Sequence, residues 1–307
     1  MGMRIDVHQH LWTEPLIAAL SRRRRAPYVR RVAEGWALRV ESEPSHLIPD
    51  TDDIDHRTRL LADDGTDAAI VAPSLPVGIE SLDPDEALPL LEAYEEGTSE
   101  LPPQWRAWGS LALPVAQPAD VDSLLDRGFV GLCLPATAIA TPRAVERLWP
   151  LLSRLEQRGA PLFVHPGPVV ADQGGAEGPR WWPAMTSYVA QMHAAWYAYF
   201  EHGRRRFPSL SVMFAMLAGG APLHLERLAS RRGTPREPLG DTLFYETSSY
   251  GPRALRAMAH WVGTDQLVYG SDRPLASPVP SRFPSKRVEA MRRRNPHRLL
   301  AEMASAA

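Results

Sequence analysis

The sequence predicts a (β/α)8 barrel, a single domain over residues 1–307, with a small insertion after the first strand at about 12–55. Three observations carry that expectation. Eight short apolar segments recur along the chain, stretches of helical periodicity separate them, and the alternation breaks once, directly after the first segment. A chain of this length accommodates eight such units. A doubly wound sheet would more often open with a glycine-rich turn after its first strand, and "VHQHLW" is not one.

The expected strands are 4–9 (RIDVHQ), 68–73 (AAIVAP), 105–113 (WRAWGSLAL), 129–134 (FVGLCL), 160–165 (APLFVH), 210–217 (LSVMFAML), 243–248 (LFYETS) and 267–270 (LVYG). Between them, "TPRAVERLWPLLSRLEQRG" places Leu148, Leu151, Leu152 and Leu155 on one helical face, with Gly159 as the stop. "SYVAQMHAAWYAYFEHGRRRF" is a second helical stretch. Residues 12 to about 55 instead show short β-like alternation with several turn-formers, as expected of a segment covering the barrel mouth. They hold seven arginines, Arg22, Arg23, Arg24, Arg25, Arg30, Arg31 and Arg39. A guanidinium binds a carboxylate bidentately, so Arg30, Arg31 and Arg39 are candidate substrate clamps; solvated surface is the alternative.

Composition excludes several classes. A net charge of −2 argues for neither nucleic acid nor an acidic tail. The lone Cys133, inside the apolar run "FVGLCLPAT", rules out an intrachain disulfide and an all-cysteine zinc site. No segment reaches the length a membrane helix needs and no signal-peptide pattern is visible, so a cytoplasmic location is the expectation.

"RIDVHQHLW" sets His8 and His10 on one face of a strand, about 6.5–7 Å apart along the chain. Two such imidazoles can chelate a metal or simply end a half-buried strand. Context favours the metal. In barrels of this class chemistry sits at the C-terminal ends of the strands, where His165 ends the fifth ("LFVHPGP") and Asp272 follows the eighth ("LVYGSDRP"). Three imidazoles and a carboxylate form a ligand set for one divalent ion such as zinc.

The pieces "DVHQH", "LFVHPG", "AGGAP…HLERL", "VYGSDRP" and "NPHRLL" resemble the amidohydrolase-related family that includes aminocarboxymuconate-semialdehyde decarboxylase. The resemblance runs from residue 4 to about 300. It implies a (β/α)8 barrel with one divalent metal, usually zinc, on His8, His10, His165 and Asp272, an insertion after the first strand, and a homodimer. It also implies metal-assisted hydrolysis or non-oxidative decarboxylation. One position departs. The family usually carries a histidine after the sixth strand in a pattern like "AHxGG", and here Leu217 stands there in "FAMLAGGAP". Leucine neither polarises water nor moves a proton, so the family mechanism does not transfer intact.

The leading functional expectation is a mononuclear metal-dependent hydrolase acting on a small organic acid, ester, lactone or amide. Asp272 would serve as general base to a metal-activated water. The alternative is a non-oxidative decarboxylase or other lyase of a carboxylate substrate; a further one is a binding protein that keeps the barrel without turnover. Trp12, Trp36, Trp181 and Trp182 fall in loops expected at the mouth, where they would wall an apolar substrate or hold the insertion down. Arg39, His193, Glu246 and Tyr250 are further substrate-binding candidates. His224 could in principle replace the missing base, though a helix-surface position suits it better.

Overall fold

A computed structural model describes residues 2–41, 43–50, 53–169, 179–233, 238–276 and 285–300. Its strands are β1 (Ile5–Gln9), β2 (Tyr28–Val32), β3 (Gly35–Arg39), β4 (His46–Pro49), β5 (Ala68–Val71) and β6 (Trp105–Ala107). They continue with β7 (Leu132–Pro135), β8 (Leu162–His165), β9 (Val212–Phe214), β10 (Leu243–Glu246) and β11 (Leu267–Val268). Strands β1, β5 and β6 pair in parallel, as do β7 through β11 in chain order. The two runs close on each other at both seams. Gly109 bridges to Leu132, with Cys133 N–H donating to Gly109 O at 2.8 Å, and Gln9 bridges to Arg273, with Val7 N–H donating to Tyr269 O at 3.0 Å. The result is the eight-stranded parallel barrel expected from the sequence.

Strands β5, β7, β8 and β10 are buried on both faces, which is why they read as nearly continuous apolar runs rather than alternations. Val7, Trp108, Phe163, Phe214 and Tyr245 belong to the main core. The large aromatics keep their polar atoms satisfied: Trp108 Nε1 donates to Val7 O at 3.0 Å and Trp196 Nε1 to the Tyr245 hydroxyl at 3.1 Å. The regular strands end earlier than the sequence suggests, because the last residues of several expected strands turn outward into mouth loops. After Phe214 the chain makes a left-handed turn, with positive φ at Met216, Leu217, Ala218, Gly219 and Gly220. Left-handed geometry costs about 1–2 kcal/mol per non-glycine residue. It is held by Ala218 N–H on Ala215 O at 2.9 Å and by Met216 N–H on Glu246 Oε2 at 3.3 Å.

The insertion consists of the helix Glu14–Arg22 and the antiparallel sheet β2–β3–β4. Its alternation buries Val29, Leu38 and Ile48 in a second apolar cluster with Leu16, Leu20 and Leu90. Gly35 is required at the β2–β3 turn: its φ is 147°, and a Cβ there would lie 2.1 Å from Ile48 O.

A buried carboxyl in this scaffold makes stability depend on pH. Glu80, just past β5, accepts a hydrogen bond from Ser110 Oγ at 2.9 Å, while Oε2 has no hydrogen-bond partner. Burial raises its pKa from 4.5 to about 7. A raised folded-state value favours the neutral form, so the associated stability is complete below the unfolded value and drains as pH climbs toward 7. Raising the pH from 5 to 8 should therefore destabilise the protein more than a Glu80→Gln variant, by about 2 kcal/mol. Paired urea titrations at the two pH values measure this; equal losses in both proteins would contradict it.

Candidate metal centre

His8 lies in β1, His10 one residue beyond it, His165 at the end of β8, and Asp272 four residues after β11. Parallel strands in a closed barrel bring these ends to one mouth. One ligand atom from each of the four side chains lies within 4.8 Å of the others. His8 Nε2 and His10 Nε2 are 3.1 Å apart, and Asp272 Oδ1 lies 3.2 Å from His10 Nε2 and 3.6 Å from His8 Nε2.

Hydrogen bonds on the far side of each ring fix what points inward. His10 Nδ1 is 2.9 Å from Ala72 O, and His165 Nδ1 is 2.9 Å from Pro166 O. A carbonyl accepts only, so both Nδ1 atoms carry the proton and both Nε2 atoms present lone pairs. His8 Nδ1 faces the Glu246 carboxylate at 3.4 Å, which orients its ring the same way. Asp272 Oδ1 is buried with no hydrogen-bond partner. Three lone pairs and a carboxylate oxygen converging without donors repel one another, and a divalent cation is what satisfies them. The residues fit the ion.

Electrostatics agree. Burial, followed by the charges of His8 and His10, holds His165 well below the usual imidazole range, so it is a neutral ligand at pH 7. Burial opposes the charged form of His8, but Asp272, Glu246 and Asp6 outweigh it and its pKa lies above normal, so an ion binding there would displace a proton from it. Burial likewise pushes Asp272 up, yet the imidazoles set against it, His10 first and then His8 and His165, bring it below the usual carboxylate range.

A buried polar frame aligns these ligands. Asp6 accepts from His8 N–H at 3.2 Å, Ser271 N–H at 3.0 Å and Gln9 Nε2 at 2.8 Å, tying β1 to the loop that carries Asp272. Arg57, from the helix Ile54–Asp63, donates to Gln9 Oε1 and, at 3.1 Å each, to His10 O and Arg273 O. Asp272 itself sits at φ 56° and donates its N–H to His8 O at 2.9 Å. Glu246 is fully buried behind His8, held by Ser248 N–H and by Ser248 Oγ at 2.9 Å. Gly270 makes room for it, since a Cβ there would lie 2.4 Å from Glu246 Oε1. Replacing Glu246 by Gln should weaken metal binding about tenfold, the low end for a group orienting a ligand. Chelator competition measures it, and an unchanged affinity would remove Glu246 from this role.

Over the ligands lies a cavity of about 540 Å³. His8, His165 and Asp272 form part of its lining, and the insertion contributes Leu38, Val40, Glu43, His46, Leu47 and Ile48. Trp12, Trp181 and Tyr250 line it as the sequence suggests; Trp36, in β3, and Trp182 do not, although the Trp182 ring lies 5.7 Å from that of Trp181. Further expectations need correction. Glu246 is no substrate contact, because it is sealed behind His8. His193 points away from the cavity and packs on Tyr197 and on His224, 5.1 and 5.2 Å between ring centroids. Arg39 reaches Ser45 Oγ at 3.3 Å outside the cavity wall. Arg30 and Arg31 are spent within the insertion, on backbone carbonyls and on Asp50 respectively. Among the described residues, the arginine that does line the cavity is Arg180, which no spacing in the sequence singled out. Leu217 is buried in the core at 2% exposure, and His224 does not take its place at the metal centre.

No protein-family model and no curated protein matches the sequence. Solved structures do match in fold. Amidohydrolase II superposes with a TM-score of 0.73 at 18% identity, over 97% of this chain and 100% of that one. The chain shares the fold of that structure, a (β/α)8 barrel. IDCase of Metarhizium anisopliae matches with a TM-score of 0.80 at 16% identity, over 97% of each chain. The 5-carboxyvanillate decarboxylase of Novosphingobium aromaticivorans, complexed with manganese and 4-hydroxy-3-methoxy-5-nitrobenzoic acid, matches at 0.75 and 16%, over 98% of this chain and 96% of that one. The fold expected from the motifs and the fold found by superposition are the same.

Proposed function

We propose that the protein is a metal-dependent decarboxylase of a small carboxylic acid with an apolar or aromatic body. The carrying observation is the convergence of His8, His10, His165 and Asp272 beneath a mostly apolar cavity. The 5-carboxyvanillate decarboxylase among the neighbours of the same fold supports this choice over the hydrolase reading. His8, His10, His165 and Asp272 would hold one divalent ion; the donor set suits zinc, and manganese is what the Novosphingobium enzyme holds.

The chemistry such an ion supplies when bound is Lewis acidity, which orients an anionic substrate oxygen and offsets charge as the carbon–carbon bond breaks. The chain's own residues do the rest. Trp12, Trp181 and the insertion wall exclude water and hold the substrate body. Asp272, ionised at neutral pH, would take up a proton from solvent and deliver it to the carbon whose bond to the carboxylate breaks, as that group leaves as carbon dioxide. No helix among the described residues is long and apolar enough to cross a membrane.

Carboxyl-labelled aromatic acids incubated with metal-loaded protein test the reading. Labelled carbon dioxide should appear, and only with metal present. Release of an acid and an alcohol or amine from ester, lactone or amide panels, without carbon dioxide, would establish the hydrolase instead.

A further inference from the structure

Apart from the metal ligands, the hydroxyls of Ser74, Ser248, Ser249 and Tyr250, and Arg180, the polar side chains of the described cavity lining form one cluster. Glu43, in the segment between β3 and β4, is 5% exposed and accepts a hydrogen bond from the Tyr188 hydroxyl at 2.6 Å. His46 Nε2 lies 3.6 Å from its other oxygen. All three side chains line the same cavity as His8, His165 and Asp272. Arg180, the nearby cation, turns to the backbone, donating to Ser45 O at 2.5 Å. Tyr188 stands on the helix Ser187–His202 and its carboxylate partner on the insertion, so two separate elements bring the cluster together.

A carboxylate offers about four acceptor positions, and a buried one that is incompletely paired is costly. Tyr188 uses one position on Glu43, and His46 stands beyond hydrogen-bond distance from Oε2. The remaining capacity belongs to a wall that a bound molecule would touch. We propose that Glu43, held in place by Tyr188, is a specificity-determining residue. It accepts a hydrogen bond from a hydroxyl or amino group on the substrate while the metal centre holds the substrate carboxylate. This inference rests on the carboxylate-binding reading of the site and adds a second anchoring point to it. Its placement on a loop of the insertion is where selectivity can be varied without disturbing the metal frame.

The test uses manganese-loaded protein and calorimetric binding of benzoate, of 3- and 4-hydroxybenzoate, of 3- and 4-aminobenzoate, and of 3- and 4-methylbenzoate. At one ring position at least, the hydroxy or amino acid should bind about tenfold or more tighter than its methyl counterpart, the effect of a hydrogen bond to a buried charge. Glu43→Leu should abolish that preference and leave benzoate affinity within about threefold, while Glu43→Gln, which keeps the shape, should reduce it. Tyr188→Phe should shrink the preference without erasing it. No preference in the unaltered protein, or a preference that survives in both Glu43 variants, overturns the inference while leaving the carboxylate reading intact. Benzoate binding that does not require the metal overturns the carboxylate reading, and this inference with it.

Discussion

Asp272→Asn is expected to retain a divalent ion, more weakly, and to lose turnover by about 10²–10⁴-fold, the worth of one general acid–base group. Asparagine keeps a carbonyl oxygen for the ion but takes up no proton near neutral pH. Asp272 is the carboxylate set directly against His8 and His10, and its environment keeps it ionised. His193→Ala and His224→Ala should each stay within about tenfold of the original rate, roughly 1.4 kcal/mol, because their rings pack on each other away from the cavity. Metal content and carbon dioxide release measured on the same samples separate binding from chemistry. An Asp272→Asn protein with a full metal complement and a near-normal rate would place the proton carrier elsewhere.

Removing His8 and His10 together should abolish metal binding. Each imidazole contributes one lone pair, and the pair left behind, His165 and Asp272, comes from two strands that are not neighbours, neither with a chelating partner on its own strand. Equilibrium dialysis of the His8→Ala/His10→Ala protein should find no ion at concentrations that saturate the original, and turnover should vanish with it. A full equivalent retained by the double variant would locate the site elsewhere.

The metal centre was legible in the sequence because two local rules suffice for it. Strand alternation puts positions 8 and 10 on one face, and the barrel's chain order puts His165 and Asp272 at the same mouth. Glu246 was misplaced by the first of those rules used alone. Alternation sets it on a face with Ser248, and the two do bond, but Glu246 is deeper along β10 and meets the back of His8. The arginines of the insertion failed for a different reason: charge counts carry no partners, and Arg31 finds Asp50 across the sheet before any substrate. Arg57, Glu43 and Tyr188 left no signal at all. Their roles depend on contacts such as Glu43 to Tyr188, which span 145 residues and exist only once the insertion has folded onto the mouth.

Anomalous X-ray scattering at the manganese edge, from crystals of the manganese-loaded protein, tests the central claim most directly. The account predicts one strong peak per chain, bounded by His8 Nε2, His10 Nε2, the His165 imidazole and Asp272 Oδ1. A peak at another site, or none between these four side chains in protein that has taken up manganese, would contradict it.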